Sequence, residues 1–514
     1  MTMLLQHLVA RQAERRPEAT AIVYGAKRLS YAELDAAANR LARALVEAGC
    51  RKGDRVCFLY PKKPAAMVWM LGILKAGAMH VPLDVAGPAE RLRRIVSSCE
   101  PRFVLAAGPA KPLAQELDFP RLVWLEDTVP AGLRTAFTLK DVARAPSEAI
   151  ACNTKPEDPA HILFTLGSTG MPKGVLITHA NVMAFVNWGL KHFGLDRTDR
   201  VSGHTPLHFD LSTYDIFGAY AAGAELHVVP LEAALLPHRL AEWIRVSRLT
   251  QWFSVPSVLN YMAKVDAVRP NDFPELRRVM WCGEVLPTPV LIHWMKRVPH
   301  ARFTNLYGPT ETTIASSYYD VPACPQSPTA HIPIGKACDG EELLVIDGEV
   351  CIGGIGLSPG YWRDPVKTAA AFVPHPSRPG SRIYRTGDLG RVRPDGLVEL
   401  IGRADTQIKS RGYRIELGEI EAALASLAQL RESAVVAIPS DGFEQWQLCC
   451  AYVPMAGVST NPGVLRGELA RLIPGYMMPA RWTQYDALPR NANGKVDRPR
   501  LKEDFCARSV AWAA

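Results

Sequence analysis

Hydrophobic positions along the first part of the chain switch between two periods. Ser30 and Glu33 form a capping box, in which each side chain can satisfy a backbone N–H of the first helical turn. Leu34, Leu41 and Leu45 then keep helical spacing until Gly49. The apolar run over 55–60 predicts a buried strand, 65–75 a helix ending at Gly77, and 80–83 a further strand. The alternation returns with strands at 161–165, 225–229, 251–255, 277–282 and 301–305, and with helices at 181–192, 239–249, 257–265 and 290–297. Strands alternating with helices imply parallel sheets covered on both faces.

After about Gly335 the pattern changes. Short strand-like pieces at 341–346, 349–352 and 398–401 are punctuated by Gly, Asp and Pro, which suggests antiparallel structure. From about Asp405 a second compact pattern follows, with a strand at 406–409, a helix at 417–427, strands at 433–438 and 448–453 and a helix at 465–472. That stretch is long enough to hold its own core. The expectation is an α/β protein: a large N-terminal domain of mixed and parallel sheets flanked by helices, with a β-subdomain, then a small α+β C-terminal domain.

Composition narrows the function classes. The 514 residues are 48% hydrophobic and 21% charged, ordinary values for a globular chain. A net charge of +8 without a dense Lys/Arg block argues against nucleic acid as partner. The longest apolar stretch, 67–83, is interrupted by Lys75 and too short to span a bilayer, so no membrane role is expected. Eleven cysteines, an odd number with no Cys-x-x-Cys pair, suit reduced thiols in a cytoplasmic protein better than a disulfide framework or a zinc site.

The most informative loop is Thr165-Leu166-Gly167-Ser168-Thr169-Gly170-Met171-Pro172-Lys173-Gly174. Its glycines let backbone N–H groups converge on an anion, and its hydroxyls and lysine add donors and charge. Asn305-Leu306-Tyr307-Gly308-Pro309-Thr310-Glu311 ends a predicted strand and offers an aromatic face and a carboxylate. Asp388 beside Gly387 suits ribose hydroxyls, Gly402-Arg403-Ala404-Asp405 falls at the domain boundary, and Asn493-Gly494-Lys495 places a lysine on a tight turn. Each has a plainer reading: a surface turn, a core aromatic at Tyr307, a turn cap at Asp388, a surface pair at Arg403, a solvated lysine. Gly356-Leu357-Ser358-Pro359-Gly360 fits the nucleophile elbow of hydrolases, but it leads into Trp362-Arg363-Asp364-Pro365, a loop rather than the required helix.

Together and in this order, these segments resemble the adenylate-forming superfamily, and more narrowly the amino-acid-activating adenylation domains of nonribosomal peptide synthesis. The resemblance runs from Leu29-Ser30-Tyr31-Ala32-Glu33-Leu34, through Leu74-Lys75-Ala76-Gly77, Phe209-Asp210-Leu211-Ser212 and 348–362, to Asn493-Gly494-Lys495-Val496-Asp497-Arg498, and is closest over 402–421. It implies an AMP-forming ligase that uses ATP and Mg²⁺. Thr165, Ser168, Thr169, Gly170 and Lys173 would hold phosphates, and Glu311 would ligate Mg²⁺. Tyr307 would stack on adenine beside Gly283 and Glu284, with Asn305, Gly308 and Thr310 in the same nucleotide site, and Asp388 and Arg403 would hold the ribose. Lys495 would bridge the substrate carboxylate and nucleotide oxygens. The division is then 1–403 as the core with both substrate sites and 404–514 as a mobile lid bearing Lys495, turning on Asp405 to bring the face 409–412, with Lys409, toward a thiol.

By the same resemblance Asp210 would pair with a substrate ammonium, and Leu211, Tyr214, Ser254, Met280, Cys282, Leu306, Ile314 and Ala315 would line the side-chain pocket. None is charged, which implies an uncharged amino acid; cysteine, alanine and a medium apolar residue all stay open. Leu166 stands where the family usually has serine, and His80 replaces a usual tyrosine. No His-His-x-x-x-Asp motif occurs, and no carrier-type Leu-Gly-Gly-x-Ser follows Lys495. The resulting expectation is a free-standing ligase that loads the phosphopantetheine thiol of a separate acyl or peptidyl carrier protein in trans. The alternatives are an acyl- or aryl-CoA ligase of the same superfamily and a nucleotide-binding regulatory protein with a decayed site.

Overall fold

The computed structural model describes residues 3–165, 172–440, 445–491 and 495–510. The chain divides into two compact units, one built from 1–85, 99–164 and 174–404, the other from 86–98, 165–173 and 405–514. The expected architecture is present: a large mixed α/β body and a small C-terminal α+β body.

Among the described residues the larger unit contains a nine-stranded sheet. Its strands run in the order Lys336–Ala337, Ser317–Asp320, Arg302–Tyr307, Arg278–Trp281, Gln251–Ser254, Arg200–Gly203, Glu225–Val228, Thr20–Tyr24, Lys27–Ser30. Neighbours from Arg302–Tyr307 to Thr20–Tyr24 pair parallel, and the outer strands pair antiparallel. Side chains on these strands alternate between two cores, as the period of two requires. Trp252, Val279, Trp281 and Phe303 pack with Leu240, Ile244, Leu259 and Trp294 of the helices Pro237–Ser247, Pro256–Lys264 and Thr288–Arg297. Phe253, Met280 and Leu306 face the other way, into a core shared with the helices Tyr31–Glu47, Pro64–Lys75, His179–Phe193 and Leu211–Ala222.

A second, seven-stranded sheet in the order Phe137–Thr138, Leu122–Trp124, Phe103–Ala106, Arg55–Leu59, Met79–Leu83, Pro159–Thr165, Lys173–Thr178 feeds the same core through Val56, Phe58, Phe103 and Leu105. His80 and His161 are register partners on adjacent strands of this sheet, and their rings stack at 4.9 Å. The residues after Gly335 form the expected antiparallel β-subdomain: Glu341–Ile346, Glu349–Gly354, Arg382–Val392 and Phe372–Pro374, with Val398–Arg403 paired to Arg382–Val392. Gly356 to Gly360 is irregular, and the buried Ser358 hydroxyl donates to the Leu176 carbonyl at 2.6 Å, so no nucleophile elbow exists here.

The Ser30–Glu33 capping box is found, with Glu33 N–H donating to Ser30 Oγ at 3.2 Å and Ser30 N–H to Glu33 Oε2 at 2.8 Å. In the smaller unit the strands Leu430–Pro439 and Trp446–Pro454 pair antiparallel, and Arg481–Gln484 joins them parallel. Val435, Leu448 and Cys450 pack on one face against Ile420, Leu424 and Leu465; Val436, Cys449 and Ala451 pack on the other against Leu501 and Phe505. Within this unit Arg91 pairs with Glu419 at 3.1 Å.

Candidate nucleotide and amino acid site

Asp388 and Arg403 are register partners on the antiparallel strands Arg382–Val392 and Val398–Arg403, so their side chains emerge side by side. Arg403 Nη1 lies 2.5 Å from Asp388 Oδ1, and the Tyr307 hydroxyl donates to Asp388 Oδ2 at 2.7 Å. Beneath the pair, Thr386 Oγ1 accepts the Asp388 N–H and donates to the Val350 carbonyl. Arg385 Nε and the Gly387 N–H both donate to Glu349. The carboxylate is therefore fixed from several sides. Burial, with the Asp388 charge beside it, holds the Tyr307 phenol well above its ordinary pKa, so it remains a donor. Its ring is 4% exposed and packs with Ile334, Val350, Ile352 and Val398.

The loop after Tyr307 is held in a strained path. Thr313 and Ile314 have φ of 61° and 71°, a region costly for β-branched residues. Gly308 permits the loop to close on itself, since a Cβ there would lie 2.6 Å from the Ala315 Cα. Hydroxyls tie it down: Ser316 Oγ donates to Thr312 Oγ1 at 2.8 Å and Thr313 Oγ1 to the Gly356 carbonyl at 2.7 Å. The loop carries Glu311, fully buried, which accepts a hydrogen bond from the Tyr361 hydroxyl at 2.9 Å. One carboxylate with a neutral partner fits Mg²⁺, which takes one or two protein carboxylates and completes its shell with phosphate and water. Among the described residues no group of three or more His, Cys, Asp or Glu could hold a metal by itself.

Asp210 occupies the N-cap of the helix Leu211–Ala222 but has helical φ and ψ (−62° and −30°), and its side chain makes no capping bond. It is buried at 8% exposure and accepts a hydrogen bond from Thr310 Oγ1 at 2.8 Å. Leu211, Tyr214, Met280, Cys282, Leu306, Ile314 and Ala315 all belong to one buried apolar cluster. Ser254 is fully buried with its hydroxyl bonded to the Trp252 indole N–H at 2.9 Å. Tyr214 is wedged against Gly189, where a Cβ would lie 2.6 Å from the ring, and meets Phe185 edge-on at 5.2 Å.

Gly283 has φ of 99°, Glu284 accepts the Ser257 N–H at 3.0 Å, and Asn305 Nδ2 donates to the Pro333 carbonyl at 2.8 Å. Among the described residues, five of those predicted belong to the smaller unit: Thr165, Lys173, Asp405, Lys409 and Lys495. Thr165 Oγ1 reaches the Lys173 carbonyl at 3.5 Å, and Lys409 sits on the strand Ile408–Ser410. Asp405 accepts the Gln407 N–H at 3.1 Å, and Lys495 is exposed, its N–H donating to Asn491 Oδ1 at 3.1 Å. Leu166, Ser168, Thr169, Gly170 and Gly494 lie outside the described residues.

The structure thus brings together Asp388, Arg403 and Tyr307, and separately Asp210 and Thr310. Tyr361 and Glu349 were missed because each acts through a partner remote in sequence and leaves no local signal; Thr386, two residues before Asp388, was missed as an individual residue. Also missed is Asp215, buried one turn beyond Leu211 and pushed by burial up to about 8, with the Lys62 ammonium pulling it back down.

Comparison with known proteins shows the family. Residues 9–362 match the family model described as AMP-binding enzyme, and residues 419–495 match AMP-binding enzyme C-terminal domain. The chain is 35% identical over 510 residues to surfactin synthase subunit 2 of Bacillus subtilis, covering 97% of this chain and 14% of that protein. It is 32% identical over 525 residues to tyrocidine synthase 1 of Brevibacillus parabrevis, covering 99% of this chain and 46% of that one. The chain therefore spans less than half the length of either relative. Among solved structures, the Vibrio cholerae adenylation domain AlmE in complex with glycyl-adenosine-5'-phosphate superposes with a TM-score of 0.84 at 25% identity, covering 99% of this chain and 98% of that one. Holo-PA1221, described as containing adenylation and PCP domains, gives 0.81 at 26% identity over 97% of this chain and 84% of that one.

Proposed function

Because the chain belongs to the AMP-binding enzyme family, we propose that it activates an α-amino acid with an uncharged side chain and passes it to a carrier protein. A carboxylate oxygen of the amino acid attacks the α-phosphorus of ATP, the bond to the β-phosphate oxygen breaks, and pyrophosphate leaves. A phosphopantetheine thiol of a separate carrier protein then attacks the aminoacyl carbonyl in trans, forming a thioester and releasing AMP. Both steps concentrate negative charge on oxygen, so positioning and electrostatics do the work.

The observation that carries the reading is Asp210: a buried carboxylate at the N-cap of the helix that contributes Leu211 and Tyr214 to the apolar cluster. Burying a carboxylate costs desolvation that an adjacent ammonium group offsets, so an amine is favoured there and acids without one are disfavoured. Asp388 and Arg403 serve the ribose and Tyr307 the base, while Thr165, Ser168, Thr169 and Lys173 serve the phosphates. Gly283, Glu284, Asn305 and Gly308 complete the nucleotide site. Glu311 would hold Mg²⁺, which supplies charge neutralisation on the phosphates when bound. Lys495 bridges carboxylate and nucleotide oxygens in the first step. We place the domain boundary at 403/404, with Asp405 as hinge and the face around Lys409 serving the second step. A cytoplasmic setting fits eleven cysteines none of which is joined to another among the described residues. Likewise, no helix among those residues is long and apolar enough to cross a membrane.

The test is ATP–pyrophosphate exchange across the amino acids and across matched acids lacking the amine. Exchange with one uncharged amino acid, lost in its des-amino analogue, is the expected result. Exchange with fatty or aryl acids instead would indicate an acyl- or aryl-CoA ligase, and none with any acid a decayed site.

A further inference from the structure

Thr310 was expected among the nucleotide contacts, yet its hydroxyl bonds to Asp210, the residue read as receiving the amine. We propose that Thr310 is a positioning residue for the amino acid: its hydroxyl orients the Asp210 carboxylate so that the carboxylate meets the substrate ammonium in a fixed geometry. The inference rests on the reading of Asp210 given above.

Three observations carry it. First, Asp210 sits at a helix N-cap, where an aspartate ordinarily accepts from the second or third N–H of the helix; its helical backbone angles go with the absence of that bond, so the capping geometry does not orient the carboxylate. Second, a hydroxyl that reaches it, at 2.8 Å, comes from 100 residues away in sequence. Third, Thr310 stands on the loop whose path is set by Gly308 packed on Ala315, by the positive φ of Thr313 and Ile314, and by the hydroxyl bonds of Thr312, Thr313 and Ser316. A donor on a braced loop holds its acceptor to one rotamer, which is what precise recognition of a charged group requires. Hydrogen bonds to charged acceptors are also the stronger kind.

The experiment measures KM for the amino acid and for ATP separately, by pyrophosphate exchange, in Thr310→Val, Thr310→Ser and Asp210→Asn. Thr310→Val keeps shape but removes the donor, and should raise the amino acid KM about tenfold, the scale expected for losing a charged hydrogen bond. It should leave the ATP KM within about twofold, and Thr310→Ser should restore the amino acid KM. In the Asp210→Asn background, Thr310→Val should add little, since the two side chains act as one unit. An ATP KM that rises while the amino acid KM holds would overturn the inference and return Thr310 to the phosphate site. An unchanged amino acid KM in Asp210→Asn would instead refute the reading of Asp210 itself. Equal loss in all three variants, with a lowered melting temperature, would show a purely structural bond and also overturn the inference.

Discussion

The Tyr307 hydroxyl donates to Asp388 across 2.7 Å, and in doing so joins the nine-stranded sheet to the antiparallel β-subdomain. The two residues are 81 positions apart, and Arg403 closes the group from a third strand. The group that would grip a ribose is thus assembled where two sheets meet.

Asp388→Asn keeps the shape but loses the charge that pairs with Arg403. The ATP KM should rise about tenfold or more, because the half-buried Arg403 loses the charged partner that holds it in place. The amino acid KM should stay within about twofold. Pyrophosphate exchange at varied ATP and then at varied amino acid distinguishes the two.

Lys495→Ala should remove adenylate formation almost entirely. At about 4 Å and an effective dielectric near 20, one ion pair is worth roughly 4 kcal/mol before desolvation, or up to about a thousandfold in rate. Because Lys495 is exposed, the folded state should melt as in the parent. Thioester formation from supplied aminoacyl-adenylate should survive, measured as carrier-protein mass.

Gly189→Ala should destabilise, although alanine is the better helix former. Its Cβ would lie 2.6 Å from the Tyr214 ring, which is fully buried and fenced in by Phe185 and Phe253. Overpacking of this kind costs about 1–3 kcal/mol. The expected readout is a melting temperature lower by a few degrees, partly recovered when Tyr214→Leu is added.

Acid should weaken the larger unit through its buried histidines. Burial first, and neighbouring histidines second, hold His161 down at about 3 and His80 well below its ordinary value. His179 is lowered to about 4, also mainly by burial. The unfolded chain takes up these protons near pH 6.5 and the folded chain does not, so stability is full above that pH and is lost as pH falls toward 4. One such histidine is worth about 2 kcal/mol at pH 5. Asp215 acts in the opposite sense: raised to about 8, it favours the folded state most at low pH, and that contribution fades as pH rises from about 4 to 8. Urea midpoints at pH 7.5 and 5 should fall on acidification, and His161→Phe should reduce that slope by about one proton.

Much of the fold was legible because period and punctuation agree along long stretches. The helix over 65–75 and the strand over 55–60 appear as Pro64–Lys75 and Arg55–Leu59, displaced by one residue at an end. The short strand expected at 406–409 is instead Ile408–Ser410, since so small a ribbon is defined by its partner Tyr413–Ile415 more than by its own pattern. Pairings formed across long chain separations were not legible. Nothing near Thr310 points to Asp210, and nothing near Tyr361 points to Glu311. His80 read only as a replacement for a usual tyrosine; the stacked ring of His161 beside it needed strand register to be seen.

Tyr361, which bonds Glu311, also forms a β-bridge with Val175, while Trp362 N–H donates to the Gly174 carbonyl at 2.7 Å and Leu176 N–H to the Gly360 carbonyl at 3.1 Å. The chain leaving the glycine-rich loop is therefore stitched to the segment that steadies Glu311. Injury to this seam would surface as one defect with two faces: an appetite for more magnesium and a looser hold on triphosphate, rising and falling in step.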